Sequence, residues 1–432
     1  ILKCTAAPLM ATPRLEPLAV GFLAGSVAAA VGIHAFYSLV ARPDKARQPA
    51  ADKHEASSST EKTRLPRTDS KSKFAFSAHM AARMMDVETL NPSRIVDEDE
   101  EERRSVTVRV PATSANMGPG FDSIGMALDM WSEFTVERAD KFEIINEGDG
   151  AEDIPCDETN LIHVACKRAY EMSGKPMPPL RYKCINRIPY ARGLGSSSAA
   201  IVGGIIAGLV LSGHRMQVWG AEEVLQLAAD IEGHPDNVAP AIYGGIQLGI
   251  KDERWISERV NLPAGLQVVI FIPNVIGKTS DARNVLPGKY SIQECVYNIG
   301  RIAWLVNALA TNNLGQLRLG TADCLHQPQR GAGPYKHMQP MIDAAVAAGA
   351  CCCYLSGAGP SVLAITSGAS GDIFAQREKE RVDRDVADAM IAAATSVGLK
   401  GQVVITEPII TGAYVAHAEP AFSRGLVKYK NL

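Results

Sequence analysis

The chain has 432 residues, enough for two or three domains with sizeable cores, and its 46% hydrophobic and 21% charged content is that of a globular protein. A formal net charge of −3 leaves no basic field for nucleic acid or an anionic membrane, so no nucleic-acid partner is expected. The nine cysteines are scattered except for Cys351, Cys352 and Cys353, which fall in an apolar strand-like run with no second pair at metal spacing. They read as reduced core residues, with a redox-sensitive thiol group as the alternative.

Taken in chain order, the sequence opens on Ile1, which reads as a translated fragment or a processed form, with Met10 a candidate start. Leu18 to Val40 is apolar apart from Ser26, His34, Tyr37 and Ser38, and its length suits a membrane-spanning helix. Its Ala and Gly content weakens insertion relative to a Leu-rich span. Arg42 to about Ser77 lacks apolar periodicity and reads as disordered. Asp97 to Glu102 is acidic, Arg103 and Arg104 follow, and the run reads as a solvated linker edge. Three readings of residues 1–102 stand open: a retained anchor with membrane contact through residues 18–40, a removed leader, and upstream sequence without a role. The leader reading carries most weight, because an apolar segment before a Ser/Thr-rich basic stretch is similar to two-part leaders of plastids with extra membranes.

From Ser105 the pattern alternates. Strands are predicted at Val106–Val110, Ser132–Glu137, Phe142–Asn146 and Tyr182–Asn186, and helices at Asn160–Met172, Ala199–Leu211 and Glu222–Glu232, the last ended by Gly233 and Pro235. A second domain is predicted from Gly265, with strands at Gln267–Ile272, Cys351, Val362, Val403 and Tyr414. Its helices are predicted at Ile292–Thr311, Lys336–Ala348 and Arg384–Val397. Strands flanking a tight turn, with helices on one face, suit a split βαβ sandwich.

Three segments carry chemistry. Arg187 to Ile201 (RIPYARGLGSSSAAI) runs from a strand end through a glycine turn into a serine run that opens an apolar helix. Gly193 and Gly195 remove Cβ atoms where the backbone must approach something closely, and Ser196, Ser197 and Ser198 sit where a helix leaves N–H groups unpaired. Such an end is a phosphate cradle, although the Gly-Lys-Ser/Thr of a Walker A loop is missing. The competing reading is an ordinary capped helix. Val106 to Leu128 is a strand leading into the loop PATSANMGPGFD at residues 111–122, and Cys351 to Ile365 is strand, glycine turn, strand.

Together these three segments resemble the signature motifs of the GHMP small-molecule kinases, and residues 111–122 are most similar to the homoserine kinase branch. The resemblance covers about Ser105 to Tyr414. It implies an α+β fold: an N-terminal mixed α/β domain (103–263) carrying the glycine-rich loop, and a C-terminal ferredoxin-like domain (264–432), after an extension (1–102). It further implies ATP and Mg²⁺ as cofactors, L-homoserine as acceptor and a homodimer. Another GHMP acceptor, mevalonate or a sugar, and a silent small-molecule-binding relative are the alternatives.

By resemblance, Gly193, Leu194, Gly195, Ser196, Ser197 and Ser198 would bind the nucleotide phosphates, and Asn160 the adenine, against its plain reading as a helix cap. Ser197 and Glu232 would hold the metal, whose taste for a few hard oxygen ligands they fit. Asn116, Asp122, His234, Asn237, Thr279, Arg283 and Arg330 would contact the acceptor, with Asp122 on its ammonium and the two arginines on its carboxylate. Asn116, Asp236 and Asn237 would act at the reacting hydroxyl. Asp236 is either a general base or, as loose phosphoryl transfer favours, a positioning group. Ser356 to Ser361 would pack against the cradle.

Overall fold

The computed structural model describes residues 103–213, 220–277, 279–367 and 382–421; the apolar run 18–40, the stretch 42–77, the acidic run 97–102 and Lys278 lie outside them. The first strand is set by alternation: Val106, Val108 and Val110 are buried while Thr107 and Arg109 face outward, and beyond Pro111 both faces are covered. In chain order the first half contains β1 (Ser105–Ala115), β2 (Ile124–Arg138), β3 (Glu143–Gly148), α1 (Leu161–Met172), β4 (Leu180–Asn186), α2 (Ser196–Leu211), α3 (Gly220–Glu232), α4 (Pro235–Tyr243), β5 (Ile246–Lys251) and β6 (Trp255–Val260). The second half contains β7 (Leu266–Pro273), α5 (Thr279–Asn284), α6 (Ile292–Ala310), α7 (Leu317–Gly320), α8 (Gln327–Ala332), α9 (Met338–Ala347), β8 (Cys352–Leu355), β9 (Val362–Ser367), α10 (Val382–Ser396), β10 (Gly401–Thr406) and β11 (Tyr414–Glu419).

The strands form two sheets. The first has the order β11-β1-β2-β4-β3, with the β5–β6 hairpin attached to the start of β2. Among the described strands only β3 and β4 run parallel. The second is antiparallel with the order β10-β7-β9-β8. Numbered within its own domain this is 4-1-3-2, with α10 crossing between β9 and β10, the ferredoxin-like arrangement that the sequence pattern suggests. Helices α9 and α10 lie on one face, where Met338, Met341, Val386 and Met390 pack on Val269, Phe271 and Cys353. Its other face, through Val268, Ile270 and Tyr354, joins the main core of the first sheet.

Helix α2 is buried along almost its whole length. Its glycines explain how: a Cβ on Gly204 would lie 2.4 Å from the Ile162 carbonyl, and one on Gly208 2.7 Å from the Cys166 carbonyl. Glycine therefore lets α1 lie directly against the helix that carries the serine run.

The sequence reading places one strand in the other domain and leaves several elements out, α4 and the β5–β6 hairpin among them. The Tyr414 strand does not join the second domain; it pairs antiparallel with β1 at the edge of the first sheet. The segment after Glu232 is not a loop throughout. Gly233, at φ +90°, breaks α3, and Pro235 at the first turn then opens α4. Proline suits that position because its missing N–H would have had no helical partner. Among the described residues no helix is long and apolar enough to cross a membrane.

Candidate active site

The glycine turn enters α2 with Gly193 at φ +71° and Gly195 at φ +74°. Neither tolerates a side chain: a Cβ on Gly193 would lie 2.2 Å from the Ser356 carbonyl, and one on Gly195 2.0 Å from Thr113 Oγ1. Gly195 is the N-cap of α2, and no side chain caps that end. The first-turn N–H groups and the positive end of the helix dipole are thus left for an anion. The turn is clamped from behind, since the Ser356 hydroxyl donates to the Gly193 carbonyl at 2.7 Å and Gly277 N–H donates to the Ala191 carbonyl at 2.9 Å. Asn116, Met117, Asp122 and Ala191 also take positive φ. Of the five non-glycine residues described with that conformation, these four sit in the two glycine-rich loops, where strain is held by surrounding structure and marks function.

At the start of α2 the hydroxyls of Ser197 and Ser198 both donate to Glu232 Oε1, each at 3.0 Å. Burial holds the Glu232 carboxyl above its usual range, opposed by the nearby His234 charge and the two serine bonds. A desolvated carboxylate beside two hydroxyls, next to an uncapped helix end, is a hard-oxygen set that fits Mg²⁺ with retained waters.

Further along the cleft, His234 Nδ1 and Asp236 Oδ1 are 2.5 Å apart, with Asp236 2% exposed. Burial works against a charged imidazole, yet the Asp236 bond and charge outweigh it, and the His234 pKa is raised overall. Thr113 donates to Asn237 Oδ1 at 2.8 Å, which turns the Asn237 amide towards Asp236. Asn116 donates to the Gly357 carbonyl and accepts the Asp122 N–H. Arg283 forks onto both carboxylate oxygens of Asp122, at 2.6 and 3.0 Å. Arg330 is different. It is 1% exposed, yet its guanidinium bonds only the Ala282 and Gly357 carbonyls and the His326 ring. Among the described residues it has no carboxylate partner.

Asp122, His234 and Asp236 bring one ligand atom each within 4.8 Å of one another. Asp122 is already taken by Arg283 and Asp236 by His234, so a divalent cation there would have to displace both partners. The serine–Glu232 end fits a metal better. The cleft has a volume of about 70 Å³, lined by Phe121, Ser197, Glu232, Asp236, Arg283 and Arg330 among others. A larger hollow of about 510 Å³, lined by Arg318, Gln339 and Asp343, shares none of these residues, and size alone does not make it the reacting site.

The pattern of the GHMP kinases N terminal domain matches residues 160–245, and that of the GHMP kinases C terminal matches residues 300–392. The homoserine kinase of Moorella thermoacetica is 40% identical over 309 residues, covering 71% of this chain and 99% of that protein. The chain belongs to the homoserine kinase family. The homoserine kinase of Prochlorococcus marinus is 35% identical over 316 residues, covering 72% of this chain and 95% of that one. The crystal structure of the Cytophaga hutchinsonii homoserine kinase superposes with a TM-score of 0.65 at 27% identity, covering 73% of this chain and 99% of that one.

In this homoserine kinase family member the cleft is lined by Asn116, Asp122, Gly193, Gly195, Ser196, Ser197, Glu232, His234, Asp236, Asn237, Thr279, Arg283 and Arg330. Leu194 and Ser198 lie just beneath it, buried. Asn160 does not line it. Its Oδ1 caps α1 by accepting from Ile162 N–H, and its amide donates to the Pro155 carbonyl at 2.6 Å. Those bonds bear out the plain reading of Asn160 as a cap. Sequence reasoning passed over Thr113, Phe121 and His326. Thr113 and Phe121 stand inside the first quoted loop and His326 one helical turn before Arg330, but nothing in their spacing marks them.

Proposed function

We propose that this protein transfers the γ-phosphoryl group of Mg-ATP to the side-chain hydroxyl of L-homoserine, giving O-phospho-L-homoserine and ADP. The observation that carries the acceptor class is Arg330, a buried guanidinium without a carboxylate partner among the described residues, beside the Asp122–Arg283 pair. A zwitterion answers both features. Its carboxylate meets Arg330 and Arg283, and its ammonium takes over Asp122, so the ion pair is exchanged without stranding a charge. Mevalonate has no ammonium to offer Asp122 in exchange for Arg283, so it could engage both arginines only by stranding the Asp122 carboxylate.

On this reading the cradle from Gly193 to Ser198 holds the phosphates, and Ser197 and Glu232 hold Mg²⁺, which supplies charge relief on the transferring group. Asn116 and Asn237 orient the acceptor hydroxyl, and Thr279 assists. Asp236, already bonded by His234 and Asn237, serves as a positioning group, and the hydroxyl proton leaves to the phosphate as the O–P bond forms. The reading includes a homodimer. Ile292, Val296 and Ile299, 77%, 63% and 66% exposed on one face of α6, support a second copy there, which light scattering tests. It also takes residues 1–102 as a leader, tested by the N-terminus of the mature protein in cells.

The direct test is coupled ADP release with Mg-ATP and homoserine, serine, threonine, mevalonate or galactose. Turnover on homoserine far above the others is expected. Preference for mevalonate or a sugar refutes the acceptor assignment, and ATP binding without turnover on any of them supports a silent relative.

A further inference from the structure

Arg330 can grip a carboxylate only if its fork is aimed, and the structure indicates what aims it. Two of its fixed contacts are backbone carbonyls, Ala282 to Nε at 3.1 Å and Gly357 to Nη1 at 3.1 Å. The third is a side chain: Nη1 lies 3.0 Å from His326 Nδ1. The other ring nitrogen, Nε2, is 2.7 Å from the Gly118 carbonyl. A carbonyl only accepts and a guanidinium only donates. The ring must therefore carry its hydrogen on Nε2 and keep a lone pair on Nδ1. Burial, aided by the Arg330 charge and opposed by Asp323, lowers the His326 pKa and keeps the ring neutral.

The ring itself is held from several sides. The Asp323 carboxylate accepts the N–H groups of Leu325, His326 and Gln327, fixing the entry to α8. Gly118 is pressed onto the same segment, where a Cβ would lie 2.2 Å from the Thr321 carbonyl. The Phe121 ring lies 5.3 Å from His326, with the Arg283 and Arg330 guanidiniums 5.2 and 5.5 Å from its centre. Arg330 Nη2 has no hydrogen-bond partner among the described residues, and the side chain lines the cleft.

We propose that His326 is a positioning residue: tethered by the Gly118 carbonyl as the Nε2–H tautomer, it accepts from Arg330 through Nδ1 and so aims the free edge of the guanidinium at the carboxylate of the acceptor. The inference rests on the reading of Arg330 given above. It also explains why this buried cation can stand without a carboxylate of its own: the ring supplies a neutral acceptor that fixes the guanidinium and leaves its charge for the ligand.

The test uses His326→Asn, His326→Gln and His326→Ala in the full chain, with steady-state kinetics on homoserine and on 3-aminopropan-1-ol, which lacks the carboxylate. Asn places an acceptor near Nδ1 and Gln places a donor near Nε2. His326→Ala and His326→Gln are expected to raise the homoserine KM about ten- to hundredfold, the range for a bond to a charged group, with ATP KM and kcat within about threefold. His326→Asn is expected to stay within about fivefold of the parent, because it keeps the acceptor that the charged donor needs. The preference for homoserine over 3-aminopropan-1-ol should shrink in the Ala and Gln variants alone. Rescue by Gln and not by Asn would mean that His326 only tethers the Gly118 loop, and would overturn the proposal. So would equal losses on the two acceptors. If the Ala variant fails to fold, the contrast between Asn and Gln decides. A parent protein inactive on homoserine would instead sink the functional reading, and this inference with it.

Discussion

Replacing Glu232 by Gln separates what the carboxylate does for the reaction from what its burial does to the fold. Gln keeps an oxygen where Ser197 and Ser198 now donate at 3.0 Å, so both bonds survive, each weakened by about 1 kcal/mol as the acceptor loses its charge. Against that stands desolvation, the largest influence on this group, which raises its pKa in spite of those bonds. The sign follows. A carboxyl whose folded pKa exceeds its unfolded one is destabilising when ionised, and the protein gains stability as the pH falls towards the folded value. A neutral isostere should therefore raise the neutral-pH Tm, measured without Mg²⁺, or leave it unchanged, by about 0–3 °C for a body of this size. Catalysis moves the other way. Loss of the charge proposed to hold Mg²⁺ should lower kcat about 10²–10³-fold, as loss of one preorganised transition-state contact does elsewhere. It should also demand more Mg²⁺ for half-maximal rate. The assay is coupled ADP release across a Mg²⁺ titration, paired with thermal melts. Unchanged kcat and Mg²⁺ dependence would remove Glu232 from the metal site. A Tm more than a few degrees below the parent would show that the serine bonds outweigh the burial.

Gly195→Ala forces a left-handed alanine against Thr113, with an expected loss of about 2–3 kcal/mol of stability and at least a tenfold rise in ATP KM; parent-like melts and ATP KM would refute the cradle geometry. Arg330→Leu should raise the homoserine KM about a hundredfold or more while ATP binding stays near the parent's, and equal loss of both would count against a carboxylate role. His234 has a raised folded pKa, so its contribution to stability is fully present below the ordinary imidazole value and is lost as pH rises through the raised one. The gap in denaturant stability between the parent and His234→Asn should therefore narrow as pH climbs through that window, and a gap that stays constant would show that His234 stays in one charge state.

The elements legible from sequence were those whose signal is local. Alternation in β1, the apolar run of α2 and the glycine turn before it were all readable, because each depends on neighbours in the chain. Asn160 reads from sequence equally as a cap or a ligand contact, and its bonds to Ile162 and Pro155 show the cap. Pro235 reads in sequence only as the end of one helix, but with the same fixed φ it also opens the next. His326 gave no signal at all. Its meaning comes from Gly118, some two hundred residues earlier, and a spacing within one motif does not report a contact between two.

The return of β11 to β1 ties the chain's domains together in time as well as in space. During synthesis the exposed edge of β1 has no partner until residues 414–419 leave the ribosome, long after the rest of the first sheet has emerged. The nascent first half must therefore carry an open strand edge through the making of the whole second sheet, the kind of surface that invites chaperones or stray strands. A protein ending near residue 263 would keep that edge permanently, and so the two halves should be obtainable as one polypeptide far more readily than as separate pieces.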